Sequence, residues 1–206
     1  MLNIREISKD EQKIIDEIVS IHISAFEGFF LTFLGRGFLK QLYRSYCEYA
    51  ASGIYAAFDE DSALPLGFLA YSGDMSGMYT YMIKKKLFKF MWFSIGAFFR
   101  NPKVFIRLIR AFLKPNESKR NERYIELASI GVKPQNKECG IGTKLIKTLC
   151  ANVDFSKYEY ITLETDAIGN DSVNRFYQKN GFVKARTYST NEGRKMNEYR
   201  YYGGAV

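Results

Sequence analysis

The sequence is poor in the residues that many reactive centres require. Its 206 residues include one histidine, His22, and three cysteines, Cys47, Cys139 and Cys150, with no C-x-x-C pair. An odd cysteine count without paired spacing argues against a disulfide scaffold or a zinc ribbon. A lone imidazole argues against histidine-rich metal sites and H-E-x-x-H proteolysis, so no metal is expected. General acids and bases must then come mainly from Glu, Asp, Tyr, Lys or Cys. No apolar run approaches the ~18 residues of a membrane span, and MLNIREISKDEQ has no apolar segment after its charges. Neither secretion nor bilayer crossing is expected, and the thiols read as reduced, mostly buried groups of a cytoplasmic protein.

Acidic residues are missing from one stretch. Between Lys84 and Lys114 there are nine basic residues and none acidic, which leaves the rest of a chain of net charge +8 at −1. The basicity is local and the main body nearly neutral. With 47% hydrophobic and 16% aromatic residues there is enough apolar material for one good core, and a single domain over 1–206 is expected, with a basic helical insertion at about 75–122.

The opening third reads as strand, helix, helix. Leu2 to Ile7 suits an edge strand, and Ser8-Lys9-Asp10-Glu11 has the spacing of a capping box that would start a helix there. Ile14, Ile15, Ile18, Ile21 and His22 continue it at intervals of three and four to about Ala25, and Gly28 interrupts. A second helical pattern runs from about Gly37 through Phe38, Leu42, Tyr43 and Tyr46 to near Ser52-Gly53. Residues 54–58 and 66–71 then read as strands joined by the acidic turn at 59–62. In the insertion, Asn101-Pro102 marks a break between two helices. Beyond it a strand (124–132), a Gly140-x-Gly142 loop, a helix, a strand (160–165), a short helix (171–179) and two closing strands (182–188 and 198–202) predict an α/β fold with a mixed sheet flanked by helices.

Glycines before a helix let backbone N–H groups approach a phosphate closely, yet G-x-G alone fits an ordinary turn equally well. Its surroundings add information. Val132-Lys133-Pro134-Gln135-Asn136-Lys137-Glu138-Cys139-Gly140-Ile141-Gly142 resembles the acetyl-CoA loop of the GNAT superfamily of acyl-CoA N-acyltransferases. Asn170-Asp171-Ser172-Val173-Asn174-Arg175-Phe176-Tyr177-Gln178-Lys179-Asn180-Gly181-Phe182 resembles that family's second signature, N-x-x-A-x-x-x-Y-x-x-x-G-F. Lys137 stands where Arg or Gln is usual and Val173 where alanine is usual; the first keeps a donor and the second changes packing only.

The resemblance implies a mostly antiparallel central sheet splayed between the strand ending at Val132 and the strand ending near Thr165. It implies acetyl-CoA as acyl donor, with pantetheine against the backbone of Ile130, Gly131 and Val132. The pyrophosphate would lie on the amides of Lys137, Glu138, Cys139, Gly140, Ile141, Gly142 and Thr143. Transfer to a primary amine would be direct, with neither metal nor covalent enzyme intermediate. Such a transfer needs a neutral amine, an oxyanion donor and a proton for the departing thiolate. The resemblance gives Tyr177 as the acid and the Ile130 N–H as the oxyanion donor. Glu126 and Glu164, on the strands beside the cleft, are both candidate bases or structural partners of Lys or Arg. Asn170 fits an N-cap better than a cofactor contact. Cys139 reads as packing filler. His22 reads as a polar tip at the rim of its helix, with substrate contact as the alternative, and Phe26 and Phe29 beside it are candidate substrate residues.

Lys103, Arg107, Arg110 and Lys114 recur at four, three and four, opposite Phe105, Leu108, Ile109 and Phe112, which describes an amphipathic cationic helix. It fits a cover for the core or a second subunit in a homodimer, a lid over an anionic acceptor such as a nucleotide-linked amino sugar, or an anionic membrane surface. Nucleic acid is not favoured, because no recognition motif accompanies the basic residues. The segment Ile21 to Leu31 with Leu34-Gly35 is similar to acetyltransferases associated with bacterial surface polysaccharides, which turns the acceptor toward an amino sugar. The expectation is a cytoplasmic acetyl-CoA-dependent N-acetyltransferase acting on a small amine. The competing class is a non-catalytic acyl-CoA-binding or membrane-surface module of the same fold.

Overall fold

The computed structural model describes residues 2–60, 62–102, 105, 122–190 and 193–204. In chain order it contains β1 (Asn3–Glu6), α1 (Gln12–Ala25), α2 (Phe30–Leu34), α3 (Arg36–Glu48), β2 (Ser52–Phe58), β3 (Gly67–Ser72) and α4 (Met75–Arg100). These are followed by β4 (Tyr124–Val132), α5 (Ile141–Asn152), β5 (Tyr160–Asp166), α6 (Asp171–Lys179), β6 (Val183–Ser189) and β7 (Lys195–Tyr201). The strands form one sheet in the order β1-β2-β3-β4-β5-β7-β6, antiparallel throughout except where β4 meets β5. This is the mixed α/β architecture that the pattern of elements predicts, mostly antiparallel as the resemblance implies.

The sheet carries a core on each face. Ile54, Ala56 and Phe58 of β2, with Phe68 and Ala70 of β3, pack under α1, α3 and α4. The intervening Tyr55, Ala57 and Leu69 join Ile125, Leu127, Ile161 and Leu163 under α5 and α6. Burial on both faces is why β2 and β3 read as continuous apolar runs rather than as alternations.

Three boundaries differ from the sequence reading, each for a local reason. Ser8 does not cap α1. Its N–H donates to the Glu11 carboxylate at 2.8 Å, and Arg5 holds the same carboxylate in a two-point contact. This draws Glu11 back toward β1, and α1 starts at Gln12 with Glu11 as its N-cap. The second predicted helix stops at Glu48, because Ser52 and Gly53 already pair with Ser72 and Tyr71 as the first rungs of β2. Glycine at position 53 makes room for side chains, since a Cβ there would lie 2.1 Å from a Glu6 carboxylate oxygen and 2.7 Å from the Tyr71 hydroxyl and would displace both. The short α2 has no counterpart in the predicted pattern.

Of the predicted helical hairpin the described residues show the first arm. α4 runs unbroken to Arg100 and ends at Asn101, where the Asn-Pro pair predicts a break. Lys103, Arg107, Arg110 and Lys114 lie outside the described residues. α4 is capped by Asp74, whose carboxylate accepts the Gly77 N–H at 2.8 Å, and buries Met75, Met78, Met82, Lys86, Phe90, Ser94 and Ala97 at steps of three and four. Lys86 is buried because its ammonium pairs with Glu48 and donates to Ser45 Oγ at 3.1 Å. Burial would raise the Glu48 carboxyl, but hydrogen bonds from Lys86, Tyr81 and Arg44 prevail and hold it at about 2.

Candidate active site

β4 and β5 pair over three rungs only: Tyr124 with Tyr160, Ile125 with Ile161, and Glu126 with Thr162. Beyond them β4 continues to Val132 against β3 and β5 to Asp166 against β7, so the sheet opens into a wedge at its middle. Leu127 and Ser129 face consecutive residues of β3, Tyr71 and Ala70, which leaves Ala128 as the extra residue of a bulge. The bulge puts Glu126 and Ser129 on one face, where strict alternation would oppose them. The Lys133 N–H reaches the Leu66 carbonyl at 2.9 Å across β3. Ladder alternation therefore turns the main-chain groups of Ile130 and Val132 toward the wedge.

The α5 side of the wedge is built from main chain. Gly140, in the left-handed region at φ 72, leads into α5 without any side-chain cap. The N–H groups of Ile141, Gly142 and Thr143 therefore have no partner within their helix. Two of the seven loop amides expected on a phosphate are engaged in turns: Lys137 N–H with Pro134 O at 3.4 Å and Cys139 N–H with Asn136 O at 3.2 Å. Gly142 packs against α6 and β4 at once, since a Cβ there would lie 3.0 Å from Phe176 Cζ and 3.9 Å from Ile130 Cδ1. Cys139 is exposed, which corrects its reading as filler, and Cys47 and Cys150 are only half-buried. Burial pushes the thiols of Cys47 and Cys150 up to about 12 and about 11.

Tyr177 lies on this side, buried against Phe176, Phe182 and Tyr199, and burial pushes its phenol well above its ordinary value. Its helix is held to the sheet by amides. Asn170 sits at the N-cap position, but its side chain makes no cap hydrogen bond, contrary to expectation. Its amide instead donates to Thr165 Oγ1 at 2.7 Å, tying the start of α6 to the end of β5. Buried Asn174 donates to the carbonyls of Asp166 and Asn170, and its own carbonyl accepts from Asn197 and Tyr199 at 2.8 and 2.9 Å. Sequence reading gave Asn174 no role; the two donors to its carbonyl are contributed by β7, more than twenty residues on.

The opposite side is built from side chains. His22 is buried rather than at a rim: its Nδ1 lies 2.5 Å from the Tyr43 hydroxyl, which is 3.4 Å from Ser129 Oγ in the bulge. Its Nε2 is buried with no hydrogen-bond partner. Burial lowers the imidazole to about 4, so it is neutral at physiological pH. Phe26 lies against His22 with centroids 4.7 Å apart, and the exposed Phe29 meets Phe26 edge-on at 5.6 Å. Phe26 also reaches β4, lying 3.4 Å from where a Cβ on Gly131 would be.

Glu126 projects on this face with Thr162 and Glu164, opposite the buried Ile125 and Leu127. It lies close enough to Tyr46 and Tyr79 to raise both phenols, adding to the larger effect of burial. Glu164 is exposed; it adds to the same effect at Tyr79 and accepts a hydrogen bond from Tyr188. The two carboxylates thus share a wall with Tyr46, Tyr79 and Tyr188. No sequence signal marked Tyr79, Ser129 or Tyr188, since sheet order and the packing of α4 on the sheet bring positions 79, 126, 164 and 188 together. Among the described residues there is no group of three metal-ligating side chains.

A wedge between parallel central strands, a bulged β4 and an uncapped glycine-led helix at its mouth define an acetyltransferase fold of the GNAT type. Residues 105–184 match the model of the acetyltransferase (GNAT) domain family. Among solved structures, it is similar to a GNAT-family protein from Desulfovibrio desulfuricans (TM-score 0.61, 14% identity, 99% of this chain and 100% of that one covered). It is also similar to the ribosomal-protein-S18-alanine N-acetyltransferase of Escherichia coli (TM-score 0.57, 12% identity, 100% and 96% covered). A third is Arabidopsis thaliana NAA60 in complex with acetyl-CoA (TM-score 0.56, 14% identity, 98% of each chain covered). No curated protein matches the sequence.

Proposed function

We propose that this chain is a cytoplasmic N-acetyltransferase that moves an acetyl group from acetyl-CoA directly to a primary amine. The observation that carries the reading is the wedge itself, with unpartnered main-chain N–H groups at the start of α5 on one side and the Glu126 carboxylate on the other. The acetyl-CoA bound to the Arabidopsis neighbour and the alanine N-acetylation named for the bacterial one support the same class.

Acetyl-CoA supplies the activated acetyl group. The amides of Gly140 to Thr143, backed by the exposed Glu138 and Lys137 turn, hold its pyrophosphate, where the partial positive charge of a helix N-terminus favours an anion. Main-chain groups of Ile130 and Val132 pair with the pantetheine amides, and the Ile130 N–H faces the developing oxyanion. Glu126, half-buried where the strands part, takes the proton of the incoming ammonium directly or through water. Glu164, exposed and tied to Tyr188, orients the acceptor. The Tyr177 phenol, kept protonated by burial, gives its proton to the departing thiolate. His22 and Tyr43 fix Ser129 and the bulge from behind.

The wall offered to the acceptor is carboxylate and phenol, which favours an amine arriving as a cation. An anionic acceptor rests on Lys103, Arg107 and Arg110, outside the described residues.

Thermal unfolding with acetyl-CoA tests the donor. At about 100 times the dissociation constant, linkage adds about 2.7 kcal/mol, which for a chain of this size raises Tm by roughly 5–10 °C. ATP and NAD should give no such rise. Release of free CoA thiol on adding a panel of primary amines tests the transfer. A thermal shift without turnover on any amine would favour the non-catalytic acyl-CoA-binding alternative, and no shift would remove both.

A further inference from the structure

α4 has two apolar faces. One is the buried stripe from Met75 to Ala97, and the opposite one carries Phe88, Trp92, Ile95 and Phe99 at steps of four, three and four. These outward rings are 86%, 71% and 77% exposed at Phe88, Trp92 and Phe99, an apolar strip that a soluble surface rarely presents. Around its N-terminal half stand Lys84, Lys85 and Lys89, all exposed, and no acidic residue lies between Lys84 and Lys114. No described helix is long and apolar enough to cross a membrane.

We infer that the outward face of α4 docks on an anionic membrane surface, Phe88, Trp92 and Phe99 entering the headgroup–acyl boundary while Lys84, Lys85 and Lys89 meet lipid phosphates. Aromatic rings over apolar stems, bordered by lysines and free of carboxylates, are the composition of a helix lying in that interface. Charge complementarity selects this occupant over a second copy of the chain, which would bring the same lysines against one another. The site is separate from the proposed acetyl transfer and does not depend on it.

Trp92 is the only tryptophan, so its fluorescence reports on this face directly. The full-length protein is mixed with vesicles of phosphatidylcholine containing 30% phosphatidylglycerol, and with pure phosphatidylcholine vesicles. The inference expects co-flotation with the anionic vesicles only, with a blue-shifted Trp92 emission shielded from aqueous iodide. It expects 0.5 M NaCl or the triple change Lys84→Glu, Lys85→Glu and Lys89→Glu to lower binding at least tenfold. Phe88→Ser with Phe99→Ser should lower it comparably, and an unchanged circular-dichroism spectrum and cooperative thermal transition show that these variants are folded. Four outcomes would overturn it: no flotation; flotation that leaves Trp92 emission unmoved; flotation indifferent to the α4 substitutions; or a Trp92 already blue-shifted and shielded without lipid. In the last case, sedimentation velocity assigns the covering to a second copy or to the chain's own residues 103–121.

Discussion

On the α5 side of the wedge the polar groups at the start of α5 and along Ile130 to Val132 are main-chain N–H and C=O, held by one glycine in the left-handed region and another in close contact with Phe176, with the Tyr177 phenol as the added side chain. On the side of α1, α3 and α4 they are side chains of Glu126, Ser129, Glu164, His22, Tyr43, Tyr79 and Tyr188, drawn from six separate elements. A site made of backbone tolerates most substitutions that preserve its turn. A site made of side chains can be altered one residue at a time without disturbing the fold. Under the proposed function, donor recognition would fall to the first construction and acceptor choice to the second.

If the comparison holds, the largest single effect belongs to the side-chain face. Glu126→Gln should lower kcat/KM by about 10³-fold with an unchanged acetyl-CoA Tm shift, while Glu164→Gln costs less than tenfold and mainly raises the acceptor KM. Equal losses for the two would dissolve the distinction between base and orienting carboxylate.

The next effect is on stability. The folded imidazole of His22 sits at about 4 against an ordinary 6.5, so the unfolded chain binds the extra proton first. The contribution is fully present above pH 6.5 and is lost as pH falls toward 4, about 3 kcal/mol in all. Urea unfolding at stepped pH should show that decline. His22→Phe, less stable at neutral pH because Tyr43 loses the closer of its two hydrogen-bond partners, should lack this part of the slope. A variant with the full slope would mean that other groups carry it.

On the backbone face, Tyr177→Phe should lower kcat about 10²-fold while leaving the acetyl-CoA KM nearly unchanged, because the ring still packs against Phe182 and Tyr199. An unchanged kcat would retire it as the acid. The smallest effect is Gly142→Ala, whose methyl would meet Phe176 at 3.0 Å. Phe176 must yield by a few tenths of an ångström, and the acetyl-CoA KM should rise by about fivefold with kcat nearly intact, as expected for a loss of uniform binding.

Much of the backbone side was legible in the sequence because it is local. β4 and α6 occupy the residues that periodicity predicts, and the glycine loop, its helix and Tyr177 fall within about fifty residues. What failed there failed on side-chain partners: Asn170 turns to Thr165 instead of its own helix, and Cys139 faces solvent. The other side was nearly illegible. Glu126 and Glu164 could be nominated from the family resemblance and their place on the strands beside the cleft, but the bulge at Ala128, which re-aims Ser129, has no pattern of its own. His22 reads as a rim residue until Tyr43 is seen to supply a buried partner, and that pairing depends on how α1 and α3 cross β4. Tyr79 sits at the head of a stretch whose basic character drew attention to charge instead of to its phenols.

The order β5-β7-β6 makes β7, which follows β6 in the chain, an interior strand and leaves β6 at the edge. Until residues 195–201 have been made, β5 has only its three rungs to β4, and Asn174 has neither Asn197 nor Tyr199 to satisfy its carbonyl. Helix α6 and its tyrosine therefore cannot be locked in place during most of synthesis, although the half of the sheet from β1 to β4 can already pair. The growing chain acquires a scaffold from β1 to β4 early and a finished wedge only once β7 has been made, so synthesis interrupted before β7 leaves one settled core and one exposed one.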